Sequence, residues 1–359
     1  MIDLADYGFR QEMLPDDACG LPARVIITHR ERYTLICGHG ECAGILKPSV
    51  YYNDSSGGET FPTTGDFVLI DYNPAGDSRI VRTLARRSRF SRSNFSGRTA
   101  DYAGTVLEQV VAANFDYVFI LQSLNQDLNV RRLERYLVLA WQSGAVPVVI
   151  LTKSDLAQDI GESLRTLASA AVGVEMYPVS AKTGHGLDAL SSFLQPRKTI
   201  VFLGSSGVGK STLVNALAGQ EIMEVSDIRE DDGRGRHTTT YRELIMLPGG
   251  VMVIDTPGMR EIGMWDAGDG LGEAFADVEE YFGKCRFADC RHGAEPGCAV
   301  REAVDQGLLP RERWESYLQL KKETRYAEDK AGYLRERQQW HKDITMQIRR
   351  MKKNGGIKK

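Results

Sequence analysis

KTIVFLGSSGVGKS, residues 198–211, runs an apolar strand into a glycine-rich loop and on into a helix, and fits G-x-x-x-x-G-K-[ST] at Gly204, Gly209, Lys210 and Ser211. The chemistry of a nucleotide phosphate asks for those residue types. The loop Gly204, Ser205, Ser206, Gly207, Val208, Gly209 curls its backbone N–H groups around the anion, Lys210 neutralises the β/γ oxygens, and the Ser211 hydroxyl ligates Mg²⁺ with Thr212 beside it in the first helical turn. A phosphate-binding α/β domain follows from this stretch.

Three more segments complete a guanine-nucleotide site. VMVIDTPG (251–258) is an apolar strand ending in a D-x-x-G turn, so Asp255 would hold Mg²⁺ through water and the Gly258 N–H would face the γ-phosphate. VVILTKSD (148–155) carries Thr152, Lys153, Ser154 and Asp155 past a strand end, where the Asp155 carboxylate can accept from N1–H and N2–H₂ of guanine and so select it over adenine. VEMYPVSAKTG (174–184) ends a further strand in Ser180, Ala181 and Lys182, a loop that would support the same base. Thr152 stands where asparagine is usual, and T-K-S-D alone is also a common helix cap. Its force comes from joint occurrence. In ordinary small GTPases both base-recognition loops follow the phosphate loop; here both precede it, which argues for a circularly permuted domain.

This constellation resembles the ribosome-small-subunit-dependent GTPase A family, also called RsgA or YjeQ, over nearly the whole chain. The resemblance implies an N-terminal OB-fold, a permuted GTPase domain and a C-terminal zinc domain. It also implies GTP/GDP, Mg²⁺ and Zn²⁺ as cofactors, and the small (30S) ribosomal subunit with its rRNA as partner in late subunit maturation. The fold class expected is therefore a circularly permuted α/β P-loop GTPase domain with an all-β barrel before it and an α-helical zinc-binding domain after it. The expected divisions are an extension at 1–20, the OB barrel at 21–90, a linker at 91–104, the GTPase domain at 105–283 and the zinc domain with a basic helical tail at 284–359.

The residues bear on each part separately. Five short apolar stretches between Ala23 and Leu84, parted by Gly, Asn, Asp and Pro, suit a small barrel; an SH3-like barrel would leave much the same pattern, so the OB assignment depends on the resemblance. The polar loop 49–64 carries Tyr51 and Tyr52, candidates for stacking on bases. In KCRFADCRHGAEPGC (284–298), Cys285, Cys290, His292 and Cys298 have the spacing C-x₄-C-x-H-x₅-C, a closed tetrahedral Zn²⁺ set that also matches the family ligands residue for residue. An earlier grouping of Cys37, His39 and Cys42 lacks an adjacent fourth ligand and coincides with a glycine-rich turn, which favours a structural reading. Beyond the zinc set, Trp314, Tyr317 and Leu318 form an apolar stripe of the kind that packs as core.

Composition bounds the class. With 359 residues, 42% of them hydrophobic and 26% charged, the chain has the balance of a globular protein of two or three domains. No apolar run reaches about 18 residues and no secretory leader opens the sequence, so a membrane location is not expected and a cytoplasmic one is; a monomer is the expectation, on no specific sequence signal. The formal charge of −3 says little about nucleic acid, but its distribution does. Arginines crowd at 79, 82, 86, 87, 89, 92 and 98, and Lys and Arg dominate the tail, as a phosphate-backbone footprint would.

Hydrolysis looks incomplete. Loop 221–240 reads as a switch in which Thr239, among three adjacent threonines, would close onto Mg²⁺. After D-T-P-G comes Met259, whose thioether cannot orient water as glutamine does, and Gly263-Met264-Trp265 is followed by Asp266 where some relatives carry histidine. His237 and Asp266 remain the internal candidates. Slow intrinsic turnover raised roughly 10³–10⁵-fold by a macromolecule is the expectation. The alternative is an RNA-binding module with a slow regulatory GTP switch acting on a non-ribosomal RNA.

Overall fold

The computed structural model describes residues 2–29, 32–51, 60–94, 107–125, 128–224, 242–255, 268–293 and 295–328. Thr239, Gly258, Met259, His237, Asp266, Tyr52, Arg98 and the basic tail lie outside them.

Five strands form the N-terminal barrel: β1 (Leu21–Thr28), β2 (Tyr33–Cys37), β3 (Gly40–Leu46), β4 (Phe67–Asp71) and β5 (Ser78–Thr83), with the one-turn α1 (Pro48–Tyr51) after β3. β1 bonds to both β2 and β4, β4 bonds to β5, and β5 runs parallel to β3, so the order 1-2-3-5-4-1 closes on itself. A closed five-stranded barrel with that one parallel pair is the OB topology and leaves no open edge within it. Alternation supplies the interior: Ala23, Val25, Tyr33, Leu35, Val68, Ile70 and Ile80 pack there. Tyr51 is buried with them, its hydroxyl 3.0 Å from Thr83 Oγ1, which removes it from the base-stacking role expected for it.

The GTPase sheet has the order β10-β9-β8-β11-β13-β12. Its strands are β8 (Tyr117–Ser123), β9 (Val146–Thr152), β10 (Met176–Pro178), β11 (Thr199–Leu203), β13 (Met252–Asp255) and the antiparallel β12 (Arg242–Met246). β8, β9 and β11 are near-continuous apolar runs because both faces are covered. One face packs on α2 (Val130–Gln142) and α3 (Ile160–Ala168), the other on α4 (Lys210–Ala218) with Leu190 and Phe193.

A separate ribbon of β6 (Arg89–Asn94) and β7 (Leu107–Ala113) joins barrel to sheet. Residues 91–94, expected to open a linker, are thus the last four residues of β6. The C-terminal helices α5 (Gly268–Ala274), α6 (Ala276–Glu279), α7 (Ala299–Asp305) and α8 (Arg311–Glu328) share the α2 core through Phe275, Val278, Val300 and Tyr317. Gly270 is pressed so close to α2 that a Cβ would stand 2.4 Å from the Val138 carbonyl oxygen.

β1 changes partners along its length. Leu21–Arg24 pair with β4; past a bulge at Val25–Ile27, Ile27 and Thr28 pair with β12, so barrel and GTPase sheet are continuous. Arg24 fills the junction, 1% exposed. Its guanidinium donates to the carbonyls of Gly65, Tyr7 and Asn114, to Thr199 Oγ1 and to Met252 Sδ. Burial pushes it down to about 9, against the pull of Asp116, so it stays protonated at neutral pH with its donors satisfied.

Candidate nucleotide and metal sites

The parallel strands deliver their C-terminal ends to one edge, where ligands of open α/β sheets bind. β11 ends at Leu203 and turns through Gly204, whose missing Cβ would have met Val208 Cγ1 at 3.0 Å and Leu121 Cβ at 3.1 Å. Gly209 at φ 101° starts α4 without a side-chain cap, which leaves the first helical N–H groups, including those of Lys210, Ser211 and Thr212, directed at the loop. Ser206 and Gly207 are exposed at its tip, while Val208 is anchored in the core.

The guanine-side loop is bonded to the phosphate loop directly. Thr152 Oγ1 donates to the Val208 carbonyl at 2.5 Å, with the Gln122 carbonyl 3.3 Å away, and Lys153 Nζ donates to the Gly207 carbonyl at 2.8 Å. Lys153 takes a left-handed conformation, φ 57°, that turns the chain so that Ser154 N–H reaches Val179 O at 3.1 Å. Asp155 then stands exposed and accepts from Ser180 Oγ at 2.6 Å. Ser180 also receives Thr183 N–H at 3.2 Å and Gly184 N–H at 2.9 Å, a turn that presents Ala181 and Lys182 beside Asp155. One Asp155 oxygen is oriented by Ser180; the carboxylate keeps lone pairs for two donors of a base.

Lys210 forms an ion pair with Asp255, which is 5% exposed at the end of β13. The pair brings the phosphate-side lysine and the metal-side carboxylate together, with Ser211 one residue on. The two side chains have the chemistry a triphosphate and its cation would need, the lysine for phosphate and the carboxylate for the cation. Thr152 as a brace was not legible in the sequence, because the carbonyls it reaches belong to β8 and to the phosphate loop, both distant in the chain.

In the C-terminal unit, the ligand atoms of Cys285, Cys290, His292 and Cys298 lie within 4.8 Å of one another. His292 Nδ1 is 3.5 Å from Cys285 Sγ and 3.6 Å from Cys298 Sγ. A tetrahedral ion with bonds of about 2.3 Å to sulfur and about 2.0–2.1 Å to nitrogen sets an S···N edge of about 3.6 Å. The cluster therefore has the dimensions of a metal cage. Burial, then Lys321, lowers the His292 pKa and favours the neutral ligating imidazole. Phe282 stacks on that ring at 4.5 Å and Trp314 meets it edge-on, contacts that tie the cluster to α8. Trp314, Tyr317 and Leu318 all pack against the core. At the earlier grouping, His39 stacks on Tyr72 and Cys37 donates to the Gly40 carbonyl.

The arginine stretch divides. Arg86 is internal: it pairs with the fully buried Asp66 through Nε at 2.8 Å and Nη2 at 2.7 Å, and burial still pushes that carboxyl up from its ordinary value. Arg82 pairs with Asp17, and Arg87 lies 3.6 Å from Asp116. Arg79 and Arg89 are exposed. Among the described arginines, 79, 82, 86, 87 and 89, a single electrostatic footprint is therefore not what is formed.

The sequence pattern of the RsgA GTPase matches residues 84–265, just over half of the chain. The chain belongs to the RsgA GTPase family. It is 46% identical over 303 residues to small ribosomal subunit biogenesis GTPase RsgA 1 of Listeria monocytogenes, covering 84% of this chain and 83% of that one. It is 44% identical over 323 residues to the RsgA of Streptomyces avermitilis, covering 89% and 84%. The crystal structure of YjeQ from Thermotoga maritima superimposes with a TM-score of 0.60 at 26% identity over 84% of this chain and 96% of its own. YloQ, described as a circularly permuted GTPase, superimposes with a TM-score of 0.57 at 22% identity over 88% and 98%, a likeness of fold. This RsgA-family chain is thus a GTPase with the permuted order read from its loops. Among the described residues no helix is long and apolar enough to cross a membrane.

Proposed function

We propose that this chain is a GTP-dependent assembly factor of the small ribosomal subunit, binding it in the GTP state and leaving when GTP is hydrolysed. The observation that carries the nucleotide reading is the bonded unit of Thr152, Lys153, Gly207 and Val208, which fixes base and phosphate loops relative to each other. Asp155, held by Ser180, selects guanine; Lys210 and the loop 204–209 bind the phosphates; Ser211 and Asp255, with Thr239, hold Mg²⁺. The family relatives' names supply the ribosomal partner, and the barrel in front of the GTPase sheet supplies a second surface for its RNA. Cys285, Cys290, His292 and Cys298 hold one structural Zn²⁺, supported by the S···N spacings. Zinc there stabilises α7 and α8 and takes no part in hydrolysis.

Turnover of GTP is measured with isolated small subunits, with large subunits and with neither. The expected result is a rise confined to the small subunit. An equal rise with both, or none, removes the ribosomal reading and leaves a slow switch acting on another RNA.

A further inference from the structure

Glu243, the second residue of β12, is cross-strand neighbour to Asp255 on one side and to Ile27 of the barrel on the other. Two strand spacings of about 4.8 Å therefore separate the metal-side carboxylate's backbone from barrel strand β1. The residue before it, Arg242, lies just beyond the stretch 221–240 that the sequence reads as a switch, and its carbonyl oxygen accepts from Thr64 Oγ1 at 3.1 Å. Thr64 is fully buried, at 0% exposure. Having given its hydrogen to Arg242, it accepts from Thr28 Oγ1 at 3.0 Å. The next residue, Gly65, has no space for a side chain: a Cβ would stand 2.1 Å from the Ala113 carbonyl oxygen and 2.9 Å from Ile254 Cδ1, the neighbour of Asp255.

We propose that Thr64 is a positioning residue for the nucleotide site: a barrel hydroxyl that fixes the carbonyl of Arg242, and with it the strand leading from the loop 221–240 to the pair Glu243–Asp255. The inference rests on the reading of 221–240 as the loop that meets the γ-phosphate. A ligand that moves β1 then shifts β12, and occupation of the γ-phosphate site alters the barrel by the same coupling factor, as linkage requires.

The test compares wild-type protein, Thr64→Val and Thr64→Ser in affinity for Mg·GDP and for a non-hydrolysable Mg·GTP analogue, with amide hydrogen exchange across 242–246. Valine keeps the shape and removes the donor; serine keeps the donor. The expected result is slower exchange at 242–246 with the analogue than with GDP in the wild type. Thr64→Val loses that difference and binds the analogue about fivefold more weakly, the equivalent of one hydrogen bond. Its GDP affinity is unchanged, and Thr64→Ser restores both readouts. An unchanged analogue-to-GDP ratio in Thr64→Val overturns the proposal, as does wild-type exchange that is identical in the two nucleotide states. Should Thr64→Val not fold, the wild-type exchange comparison decides. Failure of wild-type protein to bind GDP would instead remove the guanine-nucleotide reading.

Discussion

Replacing Arg313 with methionine should loosen the C-terminal helices, and the size of the effect follows from what its guanidinium touches. Nη1 donates to Glu134 Oε1 at 2.8 Å, Nε and Nη2 clasp Asp277 at 3.1 and 2.8 Å, Nη2 also donates to the Ala274 carbonyl at 2.6 Å, and the group lies 3.9 Å over the Phe275 ring. Asp277 is 26% exposed and can take up water, but Glu134 is 3% exposed and keeps, among the described residues, the Ser316 hydroxyl. Stranding one buried charge costs about 3–5 kcal/mol, far more than a surface pair contributes. At roughly 2–4 °C per kcal/mol, the melting of this part should fall by about 10 °C.

The sign of a second substitution separates this account from simple loss of packing. Glu134→Gln in the Arg313→Met background removes the stranded charge and should recover about 2 kcal/mol, so the double variant is the more stable of the two. Denaturant unfolding of the wild type and the two variants reads it out. Nucleotide binding should survive in all, since the contacts among 152–155, 180–184 and 204–209 involve neither residue. A double variant no more stable than Arg313→Met would refute the reasoning.

Asp155→Asn should weaken GTP binding roughly 10–100-fold, the worth of a charge-assisted bond, and shift preference toward xanthosine nucleotides; unchanged GTP preference in a competition assay would remove the base contact. Lys210→Ala should abolish GTP turnover and, because it leaves the buried Asp255 carboxylate without its ion-pair partner, should also lower the denaturant midpoint; retained turnover would remove the lysine from phosphate binding. A strong chelator should loosen α7 and α8, seen as faster amide exchange across 299–325, without changing GDP affinity; simultaneous loss of GDP binding would show that the metal cluster supports the nucleotide site. Asp66→Asn should destabilise the barrel junction by about 3 kcal/mol by stranding Arg86, measured as a lower denaturant midpoint.

What the sequence disclosed and what it concealed follow from how locally each feature is determined. The phosphate loop and the Cys–His cluster are legible because their chemistry is set by residues within fourteen positions of one another. The barrel strands were legible for a similar reason: each is a short apolar run between turn formers, and the strands between Leu21 and Thr83 fall where the alternation puts them. Closure in the order 1-2-3-5-4-1 was not, since an SH3-like barrel presents the same runs. β6 escaped notice because a two-stranded ribbon has little core; Arg89–Asn94 reads as polar linker and pairs only when Leu107–Ala113 is brought to it.

Arg86 and Tyr51 were misread for one reason, that burial is decided by partners elsewhere in the chain. A guanidinium in an arginine run is a nucleic-acid ligand or a core cation depending on whether a carboxylate such as Asp66 is already buried in front of it. The same logic bears on transmission in the permuted chain. Direct continuity of the chain from the β13 end into α5 invites the idea that motion at the nucleotide site passes straight to the unit that carries the Cys–His cluster. Yet Gly270 is locked on α2, and Arg313 joins α8 to α2 through Glu134, so the C-terminal helices are held by an element that precedes the phosphate loop. β12, by contrast, is bonded across both edges, to Asp255's strand and to the barrel. The hydrogen-bonded path out of the nucleotide sheet therefore leads to the N-terminal barrel, although chain order alone points to the C-terminal helices.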